Sequence, residues 1–449
     1  MPMDSPLGKI LFITLGCAKN EVDTDRMRAL LLAAGFAEAD GVDDADAAIV
    51  NTCSFLASAT EESVEATLEL AEGRAEGVRS CLIIMCGCVP SRYGDDLPEQ
   101  LPEVAAFVKA DDEDGIVGVV ADVLGISVAA PVLDAGAMLR TVQGASAFVK
   151  ISEGCDRFCA FCAIPYIRGR YHSRPADEIV AEVSALMEQG VREVILIGQD
   201  TGIWGSDFEG DQTLAKLLVR VAEAVRPYSG WVRVLYLQPE GMTDELIAAI
   251  RDTPEVLPYI DIPIQHCSER VLKAMGRSGD PEQLHALFGR LRDEIPGMVL
   301  RTTGMAGFPG ETDEEADELY DFIEAEEFDY TSVFAYSQEE GTRAAAMPDQ
   351  VDEDVKLERT QRLIDLVEEL GFSATAKHVG ERVKVIIDGV EETEDGVELI
   401  GHTWFQAPDC DGAVHIPEGE ACVGDVVRVR LTESFCYELE GEIVTDEEA

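Results

Sequence analysis

Basic residues are scarce in this chain. Thirty-five Lys and Arg stand against 88 Asp and Glu over 449 residues, a formal net charge of −53. A surface this acidic repels nucleic acid phosphates and attracts basic proteins. The acids are spread through every region, so most of the imbalance reads as a surface habit, such as adaptation to high salt. Long apolar stretches are also missing. No run reaches the roughly 18 residues that a membrane-spanning helix requires. The opening residues, M-P-M-D-S-P-L-G-K-I, lack the basic and apolar regions of a secretory signal, and a cytoplasmic location is expected.

Cysteine is not scarce: there are 12. In a cytoplasmic chain they read as metal ligands or buried thiols, not disulfides. Cys155, Cys159 and Cys162 form a C-x3-C-x2-C run within G-C-D-R-F-C-A-F-C-A-I-P-Y-I-R-G-R, Gly154 to Arg170. Three thiolates so close in sequence can hold three irons of a 4Fe-4S cluster. With no fourth cysteine nearby, one iron stays open to a small molecule. A closed zinc site prefers four ligands; ordinary buried thiols are the remaining alternative. The run resembles that of radical S-adenosylmethionine (SAM) enzymes. The resemblance implies that the open iron chelates SAM and that the reduced cluster cleaves it to a 5'-deoxyadenosyl radical.

The first 125 residues alternate strands and helices. Strands are expected at 9–15, 46–51, 81–85 and 105–109, with helices at 22–33 and 57–72, which implies a parallel α/β sheet. Ligands of such sheets sit beyond the carboxyl ends of the strands. Cys17, Cys53 and Cys88 each follow a strand, and three thiols in equivalent places point to a second metal cluster. Cys86 competes with Cys88 for the third place, and Cys81 reads as packing. The words L-G-C-A-K-N-E-V-D, N-T-C-S-F and R-Y-G-D-D-L-P-E-Q-L-P-E-V are similar to the N-terminal domain of methylthiotransferases. That resemblance implies an auxiliary 4Fe-4S cluster on Cys17, Cys53 and Cys88. Met85-Cys86 departs from the family's usual residues there.

Residues 126–146 have no clear period and read as a linker. From 147 to 378, six strands alternate with helices, implying a partial (β/α) barrel with its chemistry at the carboxyl ends of the strands. The cysteine loop follows the first strand. Gln199 and Asp200, Gln238 and Glu240, Gln265 and His266, and Arg301 with the loop G-M-A-G-F-P-G-E (Gly304 to Glu311) follow later ones. The resemblance, through G-F-P-G-E, implies that Gln199, Gln265, Arg301, Gly307 and Gly310 surround SAM. His266 divides evenly between a functional and a structural reading. Phe158, Phe161 and Tyr166 interleave the cluster cysteines as shielding or packing. Arg168 and Arg170 receive no assignment, and Glu339 and Glu340 read as a solvated pair. No catalytic acid, base or nucleophile is assigned, because the cofactors carry the hard chemistry.

The tail, 379–449, shows five short alternating stretches with glycine turns, an OB-like β-barrel. It resembles the TRAM domain that follows radical SAM methylthiotransferases. Such barrels usually bind RNA, but 19 acidic residues face 4 basic ones here, so a basic protein is the better ligand. Trp404 and Phe405 read as packing more than as a recognition patch. The word G-H-T-W-F-Q-A-P-D-C-D-G, Gly401 to Gly412, is similar to the family's ribosomal-protein branch, which modifies an aspartate of protein S12 of the small ribosomal subunit. The resemblance covers nearly the whole chain. It implies two SAM molecules, hydrogen abstraction from the aspartate β-carbon, sulfur addition from the auxiliary cluster and methyl transfer to that sulfur. It also implies an electron donor and a sulfur donor. A transfer-RNA methylthiotransferase, a two-cluster electron-transfer protein and a structural zinc protein are the alternatives.

Overall fold

A computed structural model of the chain describes residues 6–75, 81–129, 140, 142, 144–393 and 396–444. The middle of the expected linker, 130–139, lies outside the described residues. The chain divides into two compact units. One is Met1–Val142 with Glu153–Asp156 and Cys162–Glu182; the other is Gln143–Ser152, Arg157–Phe161 and Val183–Ala449.

The first unit is built on β1 (Lys9–Thr14), α1 (Ala18–Ala33), β2 (Ala37–Glu38), β3 (Ala47–Thr52), α2 (Ala57–Ala75), β4 (Leu82–Gly87), α3 (Cys88–Tyr93), β5 (Ala106–Lys109) and α4 (Ile116–Leu124). The strands form one parallel sheet in the order β2-β1-β3-β4-β5. Alternate residues face opposite sides, and both sides are covered. Ile10, Ile49, Ile84 and Val108 pack with Leu30 and Val120, while Val50, Ile83 and Met85 pack with Leu70 and Val89. That is why its strands read as continuous apolar runs. Helix α1 starts four residues earlier than expected, because its first turns bury the polar residues Lys19, Asn20, Asp23 and Thr24. Strand β4 runs two residues past the expected end. Cys86 therefore pairs in register with Asn51 and Val108 and sits in the core, where burial pushes its thiol well up. Cys88 opens α3.

The second unit contains six parallel strands, β6 (Ser146–Lys150), β7 (Glu193–Ile197), β8 (Trp231–Val234), β9 (Val256–Gln265), β10 (Val299–Ala306) and β11 (Tyr330–Ala335). They neighbour one another in sequence order and the sheet stays open, as a partial barrel requires. The helix Asp313–Glu326 after β10 begins with a reciprocal capping box between Thr312 and Glu315. Glu353–Ala376 is the long helix that leads to the tail. There β12 (Arg382–Thr393), β13 (Gly396–Thr403), β14 (Val414–Ile416), β15 (Val426–Phe435) and β16 (Glu438–Ile443) close into a barrel in the order β12-β13-β14-β16-β15.

Two expectations need correction. Arg301 does not end its strand. It is the third residue of β10, which continues through Gly304 to Ala306, because the glycine and methionine there mask a regular pairing with β11. Glu339 is not solvated: it is buried and accepts from the Ser337 hydroxyl at 2.7 Å.

Buried charges line the strands beneath the tail barrel. Glu193 pairs with Arg233 at 2.6 Å and with His402 Nε2 at 2.7 Å, and His402 Nδ1 meets Asp388 at 2.6 Å. Arg301 reaches Asp411 through Nε at 3.0 Å, Asp261 through Nη1 at 3.3 Å and the Ser332 hydroxyl through Nη2 at 2.9 Å. Buried ions persist only when paired in this way. Burial alone would lower the His402 pKa, but Glu193 and Asp388 outweigh it and push it up to about 9.

Candidate functional site

In the first unit, the loops after β1, β3 and β4 are pressed together. Gly16 has φ +99°, and a Cβ there would lie 2.4 Å from Cys53 Cβ and 3.0 Å from its Sγ. Gly87 has φ +89°, and a Cβ there would lie 2.3 Å from Asn51 Oδ1 and 2.9 Å from the Thr52 carbonyl oxygen. Only glycine permits both the left-handed turns and the close approach. Asn20 stitches the loops: its side-chain amide donates to the Leu15 and Thr52 carbonyls at 2.7 and 2.8 Å, and its backbone N–H donates to the Cys17 carbonyl at 2.8 Å. Thr52 joins the third loop, donating to the Cys86 carbonyl at 2.6 Å and accepting from Val89 N–H at 3.1 Å.

Cys17 is the N-cap of α1 and is exposed; Cys53 and Cys88 are buried. Burial pushes the Cys53 thiol up. It also pushes Cys88 up to about 11, opposed by the Arg168 guanidinium, and the three cysteines feel one another's charge. As free thiols, the two buried cysteines stay protonated; metal binding would deprotonate them. Among the described residues, no group of three His, Cys, Asp or Glu side chains is arranged to hold a metal ion as it stands. The donors are all soft sulfur, which suits iron–sulfur ligation.

Arg168, unassigned from the sequence, belongs to this site. Its Nη1 donates to Asp23 at 3.0 Å and Glu153 at 3.3 Å, and its Nη2 donates to Asn20 Oδ1 at 2.6 Å. Burial disfavours its charge, but Asp23 and Glu153 hold it firmly protonated. The neighbouring Ile167 packs with Cys88 and Ala163.

The C-x3-C-x2-C run is shared between the units: Cys155 and Cys162 fall in the first and Cys159 in the second. In the first, the Cys155 N–H donates to the Gly169 carbonyl at 3.2 Å. Gly154, at φ +74°, lies so close to Arg170 that a Cβ would be 2.2 Å from its carbonyl oxygen. In the second, Ala160 N–H donates to the Met275 carbonyl at 2.7 Å and its carbonyl accepts from Ala344 N–H at 2.8 Å, while Phe161 packs against the buried cluster containing Phe308 and Tyr336. Phe158 has φ +48°, and its carbonyl accepts from Arg343 at 2.8 Å. Tyr166 is exposed.

At the strand ends of the second unit, Gln199 follows β7 and Gln265 ends β9 with a left-handed φ of +68°. Gly307 and Gly310, at φ +79° and +78°, lie in the loop after β10. The loop is pinned by its own Glu311. One carboxylate oxygen accepts from Gly307 and Phe308 N–H at 2.9 and 3.2 Å, and the other pairs with Arg359 at 2.8 Å. Burial pushes the Glu311 pKa up, against those donors. His266 is held from the backbone. Its Nδ1 accepts from the Cys267 and Ser268 N–H groups, both at 3.0 Å, so Nε2 carries the proton, 3.8 Å from Glu311. Burial lowers its pKa to about 4, so it is neutral near pH 7. Arg301 stands apart from these strand ends, in the wall of a cavity of about 200 Å³ with Tyr236, Asp261, Thr303, Phe334 and Cys410. Phe405 is buried and stacks on His378 with ring centres 3.9 Å apart, a packing role.

Three family models match the chain. Residues 149–323 match the radical SAM superfamily, 9–109 an uncharacterized protein family, UPF0004, and 379–444 the TRAM domain. The chain is 42% identical over 444 residues to ribosomal protein uS12 methylthiotransferase RimO of Pelobacter propionicus, covering 97% of this chain and 98% of that protein. It is 41% identical over 447 residues to the protein of the same name from Trichlorobacter lovleyi, covering 98% of each. For that from Geobacter sulfurreducens the figures are 40% over 456 residues, 99% and 100%. Among solved structures, the radical SAM methyltransferase TsrM from Kitasatospora setae, with cobalamin and a 4Fe-4S cluster bound, is similar in fold. The TM-score is 0.55 at 14% identity, over 73% of this chain and 75% of that one.

Proposed function

The chain belongs to the RimO family of radical SAM methylthiotransferases, and we propose that it adds a methylthio group to the β-carbon of an aspartate of ribosomal protein S12. The observation that carries this reading is the gathering of three cysteine loops by Gly16 and Gly87 at one sheet edge, in a chain whose sequence holds a separate C-x3-C-x2-C run. Cys155, Cys159 and Cys162 would hold the SAM cluster; Cys17, Cys53 and Cys88 would hold the auxiliary one. When bound, these clusters and SAM supply the radical that removes the β-hydrogen, the sulfur and the methyl group. The chain's own part is to place and protect.

Gly307 and Gly310 keep side chains out of the loop that faces the adenosyl group, and Glu311 fixes that loop's backbone. Gln199 and Gln265 offer amides at the neighbouring strand ends. Arg301, the remaining member of that set, lines a cavity with Tyr236 and Asp261. Phe161, Phe308 and Tyr336 form a dry layer behind the Cys159 loop. The working parts are 1–125, 147–378 and 379–449, joined through 126–146. The acidic surface matches a basic substrate protein, free or within the small ribosomal subunit. The tail barrel serves that contact rather than RNA. An electron donor and a sulfur donor complete the reaction in the cytoplasm; among the described residues no helix is long and apolar enough to cross a membrane.

The test is mass spectrometry after incubating anaerobically reconstituted protein with SAM, reductant and either purified S12 or transfer RNA. A methylthio group on an S12 aspartate, lost in C155A and in C17A, supports the reading. The same group on RNA would move the protein to the transfer-RNA branch.

A further inference from the structure

Arg168 follows the SAM-cluster cysteines in sequence, yet its side chain packs among the loops of Cys17, Cys53 and Cys88. Its guanidinium is buried and shared. Nη1 serves Asp23 and Glu153, Nη2 serves Asn20, and the neighbouring Ile167 packs against Cys88. The planar fork of arginine can serve several acceptors in fixed directions; a lysine cannot. The acceptors also tie the group to the loops. Asn20 is bonded to the chain on either side of the cysteines, at Leu15, at Cys17 and at Thr52. Asp23 and Glu153 compensate the burial of its charge.

Three thiolates on an iron–sulfur core leave the centre an anion. It becomes more negative when it is reduced or takes up a sulfide. Potentials of such clusters follow net charge and the hydrogen bonds to their sulfurs. We propose that Arg168 is a positioning residue of the auxiliary cluster: its buried guanidinium, held among the cysteine loops, stabilises the added negative charge of the reduced or sulfide-bearing centre. This rests on the assignment of Cys17, Cys53 and Cys88 as cluster ligands. Asp23 and Glu153 keep the group charged and aimed, and Asn20 keeps it in register with the Cys17 and Cys53 loops.

The experiment uses the full chain with Cys155, Cys159 and Cys162 changed to alanine, so that a single cluster forms. With 15N-labelled arginine and the cluster reduced, pulsed electron paramagnetic resonance is expected to show a guanidinium nitrogen coupled to the cluster, lost in R168K. In R168M the potential shifts downward, and sodium sulfide binds about tenfold more weakly, the loss of one nearby positive charge. R168K retains the charge and recovers most of the potential. Absence of arginine coupling in the protein with Arg168 intact overturns the proposal even where R168M fails to fold. An R168M protein with unchanged potential and sulfide affinity also overturns it. If this chain incorporates no iron, the cluster assignment itself fails, and the proposal with it.

Discussion

The two parallel sheets obey one geometric rule with different chemistry. In the five-stranded sheet the loops beyond β1, β3 and β4 carry thiols, Cys17, Cys53 and Cys88, drawn together by glycines. In the six-stranded sheet the loops beyond β7, β9 and β10 carry amides, a buried imidazole and a glycine-rich turn pinned by a carboxylate. Carboxyl ends of parallel strands are where ligands of such sheets gather. The larger sheet adds thiols of its own, in the Cys155–Cys162 loop after β6. The sheets also differ below their loops. The smaller is apolar on both faces, whereas the larger buries Glu193, Arg233, Asp261 and Arg301 against the acids and histidine of the tail barrel.

Breaking each sheet's donors separates the two roles most sharply. C155A is expected to abolish deoxyadenosine formation, whereas C17A leaves deoxyadenosine but yields no methylthiolated product; chromatography and iron analysis of both variants check this. Loss of deoxyadenosine in C17A would merge the two roles.

The next largest effect concerns the charged layer. E193Q leaves Arg233 and His402 without their shared carboxylate, and breaking a buried pair costs about 3–5 kcal/mol. The urea midpoint is expected to fall accordingly, while the cysteine variants keep theirs. The same layer carries a pH signature. The His402 pKa is raised from its ordinary 6.5 to about 9. Its contribution is therefore complete below 6.5 and lost as pH rises through 9, a change of about 3 kcal/mol by linkage. Denaturation across that window is expected to show the decline, and H402Q to flatten it.

Smaller effects sharpen the glycine-rich turn. A Cβ at Gly307 meets Lys356 Cγ at 2.4 Å in a left-handed backbone, so G307A is expected to weaken SAM binding about tenfold by calorimetry. G310A meets nothing nearer than Arg270 Nη1 at 3.8 Å and has only the backbone strain, roughly threefold. Equal effects would mean that the clash with Lys356 is relieved by side-chain movement.

Much of this was legible because it is local. Apolar runs marked the strands, and equivalent placement after strands marked Cys17, Cys53 and Cys88. Cys86 and Cys88 were not separable by composition. The register of β4 with β3 and β5 puts Cys86 in the core, and register is not a local property. The early start of α1 escaped because a helix that buries Lys19, Asn20 and Asp23 shows no apolar period; those polar residues are the site's own signal. Arg168, Glu311 and the Glu193–Arg233–His402 chain escaped for another reason. In a sequence with 88 acids, which carboxylate meets which cation is fixed only by the fold.

Arg168 and Gly169 are consecutive, so their Cα atoms stand about 3.8 Å apart whatever else moves. The side chain of one is bonded to Asp23 and Asn20, and the carbonyl of the other accepts from the amide of Cys155. A single peptide thus joins the helix that opens at Cys17 to the loop of Cys155. Adding or removing one residue between Cys155 and Gly169 is therefore expected to disturb both at once.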